Sequence, residues 1–248
     1  MKTEYISEAQ VFHGGIPLVM GTKLEVLLAG VTEGKGRHVW DQLHDLAFSL
    51  DRMLNRFDPG SEVSQLNLSQ TPLAIGAGGE IGEIIRLALQ YKAKTAGLFD
   101  ICMSDGKLDF GGFAKGYFLR RCAAMLREAG IECAFVDFGG SSILGIGHHP
   151  YGDSWKVGIM NPYTHMSIGE IELHDSSLST SGNTPAYTGH IRNPKCGEVC
   201  TARMLATVVS KDPLDAEVLS TVMMIASPHE LEEIRRNFPE AVIKSHVL

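Results

Sequence analysis

The stretch LDFGGFAKGY at 108–117 brings paired glycines and a lysine to the start of a helical pattern. Glycine pairs let a phosphate or another backbone come close, free N–H groups at a helix start attract anions, and Lys115 adds a point charge. It is not a Walker A loop, which requires GKS or GKT, and taken alone it reads rather as a tight turn with a solvated lysine. In AEVLST, 216–221, Glu217 and Thr221 stand four apart and share a helix face. A carboxylate and a hydroxyl placed that way can meet one hard cation, although the same spacing is common on solvated helices. VDFGGSSILGIG at 136–147 puts a glycine-rich loop after a strand. The segments that follow also read as strands, which removes the helix N-terminus a dinucleotide pyrophosphate rests on and leaves a glycine hairpin. There is no HExxH and no GxSxG, and His148-His149 lack a matching Cys/His spacing, so zinc and serine-hydrolase chemistry fall away. His190, in TGHIRNP, reads on its own as a loop or strand-end residue.

The elements that must position these residues follow from periodicity. Residues 18–30 suit a strand, and apolar residues from Trp40 to Phe57 recur at three and four, which predicts an amphipathic helix over 39–57. Further helices are expected over 80–96, with Gly97 as C-terminal cap, and over 114–128. CAFVDF, SILGIG, WKVGIM, IGEIEL and RMLATVVS predict short strands. Asp212-Pro213 opens a helix through about Ala226, and Ser227 to Glu230 has the capping-box spacing for another. Strands 133–160 leave no room for crossover helices, so the pattern predicts an α+β fold of mixed sheets with flanking helices rather than a doubly wound sheet.

The bulk properties bound the function. With 248 residues, 44% of them hydrophobic, and no repeat or long linker, the chain is expected to form one domain over 1–248. A net charge of −7 without a Lys/Arg-rich run argues against a nucleic-acid partner. The N-terminus lacks the apolar core of a signal peptide and no run is long enough to span a bilayer. As written the protein reads as cytoplasmic, or as periplasmic or membrane-anchored if a leader has been removed. Five cysteines without a CxxC pair read as free thiols.

Taken in order, MGT at 20–22, RFDPGSEVSQLN at 56–67, GLFDI at 97–101, LDFGGFAKGY at 108–117, VDFGG at 136–140, STSG at 179–182, HIRNPKCG at 190–197 and AEVLST at 216–221 resemble the FAD:protein FMN transferases, the ApbE type. The resemblance implies Mg²⁺-dependent transfer of FMN from FAD to a threonine of a target flavoprotein, with release of AMP. It places Met20, Phe57, Leu98, Phe99, Asp100, Asp109, Lys115 and Ile191 around FAD. It places the metal between the Gly112 carbonyl, Glu217 and Thr221, with Ser220 as a further contact, and makes His190 the catalytic base. Alternatives within the same resemblance are a non-catalytic FAD-binding protein and a pyrophosphatase giving FMN and AMP.

The chain also departs from that family's pattern. Only CMSDGK separates the FDI and LDFGG segments, where relatives carry some tens of residues, so a cover over the flavin is expected to be missing. Glu217 replaces the usual aspartate, Asn193 and Cys196 replace aspartate and threonine, Phe57 stands where many relatives carry tyrosine, and Arg120 stands where aspartate is common.

Overall fold

The computed structural model describes residues 2–69, 78–185 and 187–248. Its main sheet has eight strands, all paired antiparallel: β1 (Lys2–Ile6), β2 (Val11–Val19), β3 (Thr22–Ala29), β4 (Cys133–Phe138), β5 (Ser142–Ile146), β8 (Ser176–Gly182), β9 (Met204–Ser210) and β10 (Val242–Val247), in that spatial order. A two-stranded sheet of β6 (Trp155–Met160) and β7 (Ser167–Leu173) stands apart from it. The helices are α1 (Glu33–Leu54), α2 (Glu62–Leu68), α3 (Gly79–Lys94), α4 (Ala114–Glu128), α5 (Pro213–Met223) and α6 (Pro228–Arg235). This is the α+β arrangement the strand spacing predicts.

Alternation along the strands makes two cores. Leu24, Val26 and Leu28 of β3, Val136 and Phe138 of β4 and Leu144 of β5 join the buried faces of α1, α3, α4 and α5 in the larger one. Ile143, Leu178 and Leu205 point the other way and pack with Trp155, Val157, Ile159, Ile171 and Leu173 of the small sheet. The period-2 side-chain alternation of strands puts neighbouring residues Ile143 and Leu144 into different cores.

Several boundaries differ from those expected. Helix α1 begins at Glu33 rather than Val39, because Thr32 caps it by accepting from the Lys35 amide. Its first turn is polar and carries Gly34 and Gly36, so it lacks the apolar periodicity by which the rest was found. The helix also ends at Leu54, three residues before Phe57. The expected strand 18–30 is broken at Met20 and Gly21, whose positive φ angles of 48° and 76° form the turn between β2 and β3. Strands β1, β2, β8 and β10 and helix α2 are additional. β8 reads SSLSTSG, too polar to signal a strand. In contrast α4, the Asp212 and Pro213 start of α5 and the Ser227–Glu230 capping box of α6 agree with the sequence reading.

The 102–108 segment is a closed turn. Met103 N–H donates to the Lys107 carbonyl at 2.8 Å, Gly106 N–H to Met103 at 2.9 Å, and Asp109 N–H to the Ile101 carbonyl at 2.7 Å. The GLFDI and LDFGG segments are thereby held side by side. Among the described residues no helix is long and apolar enough to cross a membrane, and all five cysteines are free.

Candidate functional site

Helix α4 starts directly after the glycine pair and carries no side-chain cap, since its N-cap is Phe113. The Phe113 and Ala114 amides already donate to the Phe110 carbonyl at 2.9 and 2.8 Å, so the donors left for an anion are those of the residues that follow. α4 packs on α5 through Gly116: a Cβ there would lie 2.5 Å from Glu217 Cβ and 3.1 Å from the Pro213 carbonyl oxygen. That close approach sets Lys115, one residue earlier, against Glu217, with Lys115 Nζ 3.3 Å from Oε1. The same ammonium donates to Ser141 Oγ and Ser142 Oγ, each at 2.8 Å.

Glu217 is only 4% exposed, and its second oxygen is fully engaged. Oε2 accepts from Ser142 Oγ at 2.6 Å and from Ser179 Oγ at 2.8 Å. The hydroxyls continue from there: Ser220 lies 3.1 Å from Ser179 and 2.8 Å from Ser181, and Ser181 lies 3.3 Å from Thr221 Oγ1. Gly112 closes the group, a Cβ on it falling 3.6 Å from Thr221 Oγ1 and 3.8 Å from Phe99. Glu217 and Thr221, which spacing put on one helix face, thus lie with Lys115 and with Gly112 and Ser220, which only the family resemblance had singled out. Ser142, Ser179 and Ser181 carry no role from spacing alone; their signal lay in the GGSS and STSG runs, whose serines only the β5–β8 pairing brings under α5.

A hard divalent cation fits this donor set. Its acceptors are oxygens, one carboxylate and the hydroxyls around it, with the Gly112 backbone alongside, and Mg²⁺ is commonly held by one or two carboxylates with waters and substrate phosphates completing its shell.

The other expected residues are each placed by contacts of their own. Met20 forms the β2–β3 turn, and Thr22 beside it packs against Gly139, where a Cβ would meet Thr22 Oγ1 at 2.7 Å; φ there is +73°, a second reason for glycine. The MGT and VDFGG segments thus share one end of the sheet. Phe57 is 79% exposed, with the Arg56 guanidinium 4.4 Å from its ring centroid. Arg56 also reaches Asp109 at 3.2 Å, and the Asn67 amide pairs with both backbone groups of Leu108, which docks α2 on the LDFGG loop. Asp109 Oδ1 accepts from Gly111 N–H at 2.9 Å. Leu98 and Phe99 are buried, Phe99 stacking on Phe113, so their side chains serve the core. Asp100 pairs with Lys92 at 2.6 Å and accepts from Cys102 N–H.

Ile191 is buried, and its neighbour His190 is exposed and stacks on Tyr187 with ring centroids 4.1 Å apart. Partial desolvation nevertheless lowers the imidazole's pKa from its ordinary value. The loop is tied to the end of β8 by Asn183, which donates to the Cys200 and Ala202 carbonyls, and to α6 by Lys195–Glu230 at 2.8 Å. Arg120 holds the start of α5: it forms a bidentate pair with the helix N-cap Asp212 and donates to Tyr91 Oη at 3.2 Å. Burial works against its charge, but the Asp212 hydrogen bond and the neighbouring acids hold its pKa above the ordinary value.

A family model described as the ApbE family matches residues 20–106 and 102–243. The chain belongs to the ApbE family. Its two matched pieces overlap at 102–106, within the closed turn. An FAD:protein FMN transferase of Klebsiella pneumoniae (strain 342) is 29% identical over 127 positions, 47% of this chain and 38% of that relative, so this match spans well under half of its length. A second from the same organism is 20% identical over 278 positions, 88% of this chain and 79% of its own. That alignment is longer than the whole present chain, as expected if the relative carries insertions. An FAD:protein FMN transferase of Escherichia coli (strain K12) is 23% identical over 293 positions, covering 94% and 82%. Among solved structures of the family, the flavin transferase ApbE from Vibrio cholerae superposes with a TM-score of 0.74 at 18% identity over 96% of this chain and 97% of its own. The Thermotoga maritima ApbE protein gives 0.77 at 18% identity, covering 94% and 93%. These likenesses establish the ApbE fold.

Proposed function

We propose that this ApbE-family chain, acting as one domain, transfers FMN from FAD to a threonine hydroxyl of a target flavoprotein and releases AMP. The observation that carries the reading is the meeting of Lys115, at the uncapped start of α4, with Glu217 and the serine and threonine hydroxyls of β8 and α5. A loop and helix start suited to a pyrophosphate thus adjoin an oxygen-only pocket suited to its counter-cation. Membership of a family whose relatives are called FAD:protein FMN transferases supports FMN transfer as the reaction.

In this reading the acceptor oxygen attacks the phosphorus of the FMN half. The bond to the bridging oxygen breaks, the electron pair leaves on AMP, and the acceptor's proton passes to His190. A lowered imidazole pKa keeps His190 neutral, and so able to take a proton, at neutral pH. Lys115 and the N–H groups at the start of α4 hold the pyrophosphate, and Asp109 shapes the loop through Gly111. Met20, Phe57, Asp100 and Ile191 flank FAD, with Leu98 and Phe99 contributing through their backbone. Mg²⁺, held by Gly112, Glu217 and Thr221, supplies neutralisation of the phosphate charge.

The test is incubation with FAD, Mg²⁺ and a threonine-containing acceptor domain, followed by intact mass. An acceptor heavier by one FMN, with an equal amount of AMP, is expected. AMP without labelling would replace transfer by hydrolysis, and FAD binding without AMP would leave a binding protein.

A further inference from the structure

The Lys115–Glu217 pair gives one side chain two tasks that exclude each other. The carboxylate is fixed: Ser142 and Ser179 both donate to Oε2, so Oε1 stays aimed at the ammonium, its only recorded partner among the described residues. Ser141 and Ser142 hold the ammonium from the other side, at 2.8 Å each. A cation bound at Oε1 would sit within a few ångströms of the ammonium, and two positive charges at that separation in a largely buried pocket repel strongly. The side chain of Lys115 is 22% exposed, against 6% for Glu217, and it is the longer and more flexible of the two.

Resting on the site reading above, we propose that Lys115 is the resident counter-ion of Glu217 in the cation-free protein, and that it leaves the carboxylate for the pyrophosphate when a divalent cation takes Oε1. The extra methylene of Glu217 over aspartate is what lets the carboxylate reach the lysine and both serines at once. Before the cation arrives, Lys115 keeps the buried carboxylate neutralised and is withheld from the dinucleotide. Afterwards its charge is released where the pyrophosphate lies, so cation and FAD favour each other's binding. By linkage that effect is reciprocal.

The test uses the whole protein and Mn²⁺ as the probe, without nucleotide. Calorimetric titration of Lys115→Met should show Mn²⁺ bound roughly tenfold tighter than in wild type, within the usual range of site-to-site coupling. Ser141→Ala, which changes no charge and only loosens the hold on the ammonium, should shift Mn²⁺ affinity the same way by about two- to tenfold. Glu217→Gln should lose Mn²⁺ binding and, with no cation present, bind FAD more tightly than wild type. That gain should vanish in the Lys115→Met background; a gain that persists there would be plain repulsion between Glu217 and FAD and would overturn the proposal. Mn²⁺ affinity unchanged or weakened in both Lys115→Met and Ser141→Ala, with Glu217→Gln still abolishing it, would also overturn the proposal while leaving the site reading intact. Mn²⁺ binding undiminished in Glu217→Gln would overturn both.

Discussion

Replacing Gly116 by alanine sets two effects of opposite sign against each other. Gly116 is the third residue of α4, and helix propensity alone predicts that alanine stabilises by up to about 1 kcal/mol, less in a first turn. The added methyl would meet Glu217 Cβ at 2.5 Å, Glu217 Cγ at 3.0 Å and the Pro213 carbonyl oxygen at 3.1 Å. The first and last belong to the framework of α5 and cannot rotate away, so α5 must shift. Overpacking of this kind costs about 1–3 kcal/mol, which leaves a net loss of about 1–2 kcal/mol. For a chain of this size that corresponds to a fall in melting temperature of about 2–8 °C. The displacement acts on the residue that bears the carboxylate, so binding of a divalent cation should weaken with it. Thermal unfolding followed by calorimetry, paired with Mn²⁺ titration, checks both. A melting temperature that rises, with Mn²⁺ affinity unchanged, would refute the account of the α4–α5 contact as the device that builds the site.

Three further outcomes are expected. Glu217→Asp should cost about 1–3 kcal/mol in urea unfolding, because the shorter side chain leaves the hydroxyls of Ser142 and Ser179, now at 2.6 and 2.8 Å, without their acceptor, while Mg²⁺-dependent turnover persists. His190→Ala should lower transfer by about two to four orders of magnitude with FAD affinity nearly unchanged. Because partial desolvation lowers the His190 pKa, the imidazole is protonated and lost as a base only in acid, so the acid limb of kcat/KM should fall below the ordinary value of about 6.5 and disappear in the variant. Arg120→Asp, restoring the residue common in the resembling family, should here destabilise by about 2–3 kcal/mol, since it removes the partner of Asp212 and adds a third carboxylate beside Asp215; the partial exposure of the pair keeps the cost below that of a fully buried one, and the urea midpoint measures it.

The sequence by itself determined the elements whose signals are local. The period of three and four found the body of α1, the Asp212-Pro213 pair and the capping box at Ser227 found the starts of α5 and α6, and glycines marked the β4–β5 hairpin. Spacing on one helix also set Glu217 and Thr221 on a common face. What tertiary structure alone decided are the contacts between segments remote in the chain. Lys115 and Glu217 are about a hundred residues apart, and only the absence of a Cβ at Gly116 lets their helices come close enough to pair. Ser142 and Ser179 gain their acceptor because β5 pairs with β8 beneath α5, a register no local pattern encodes and a strand too polar to announce itself. Leu98 and Phe99 show the reverse case: a motif marks them, but burial assigns their side chains to the core, because the closed 102–108 turn folds the segment inward against Phe113. Local chemistry is written in residue types, whereas charge pairing across helices depends on packing distances that the whole fold sets.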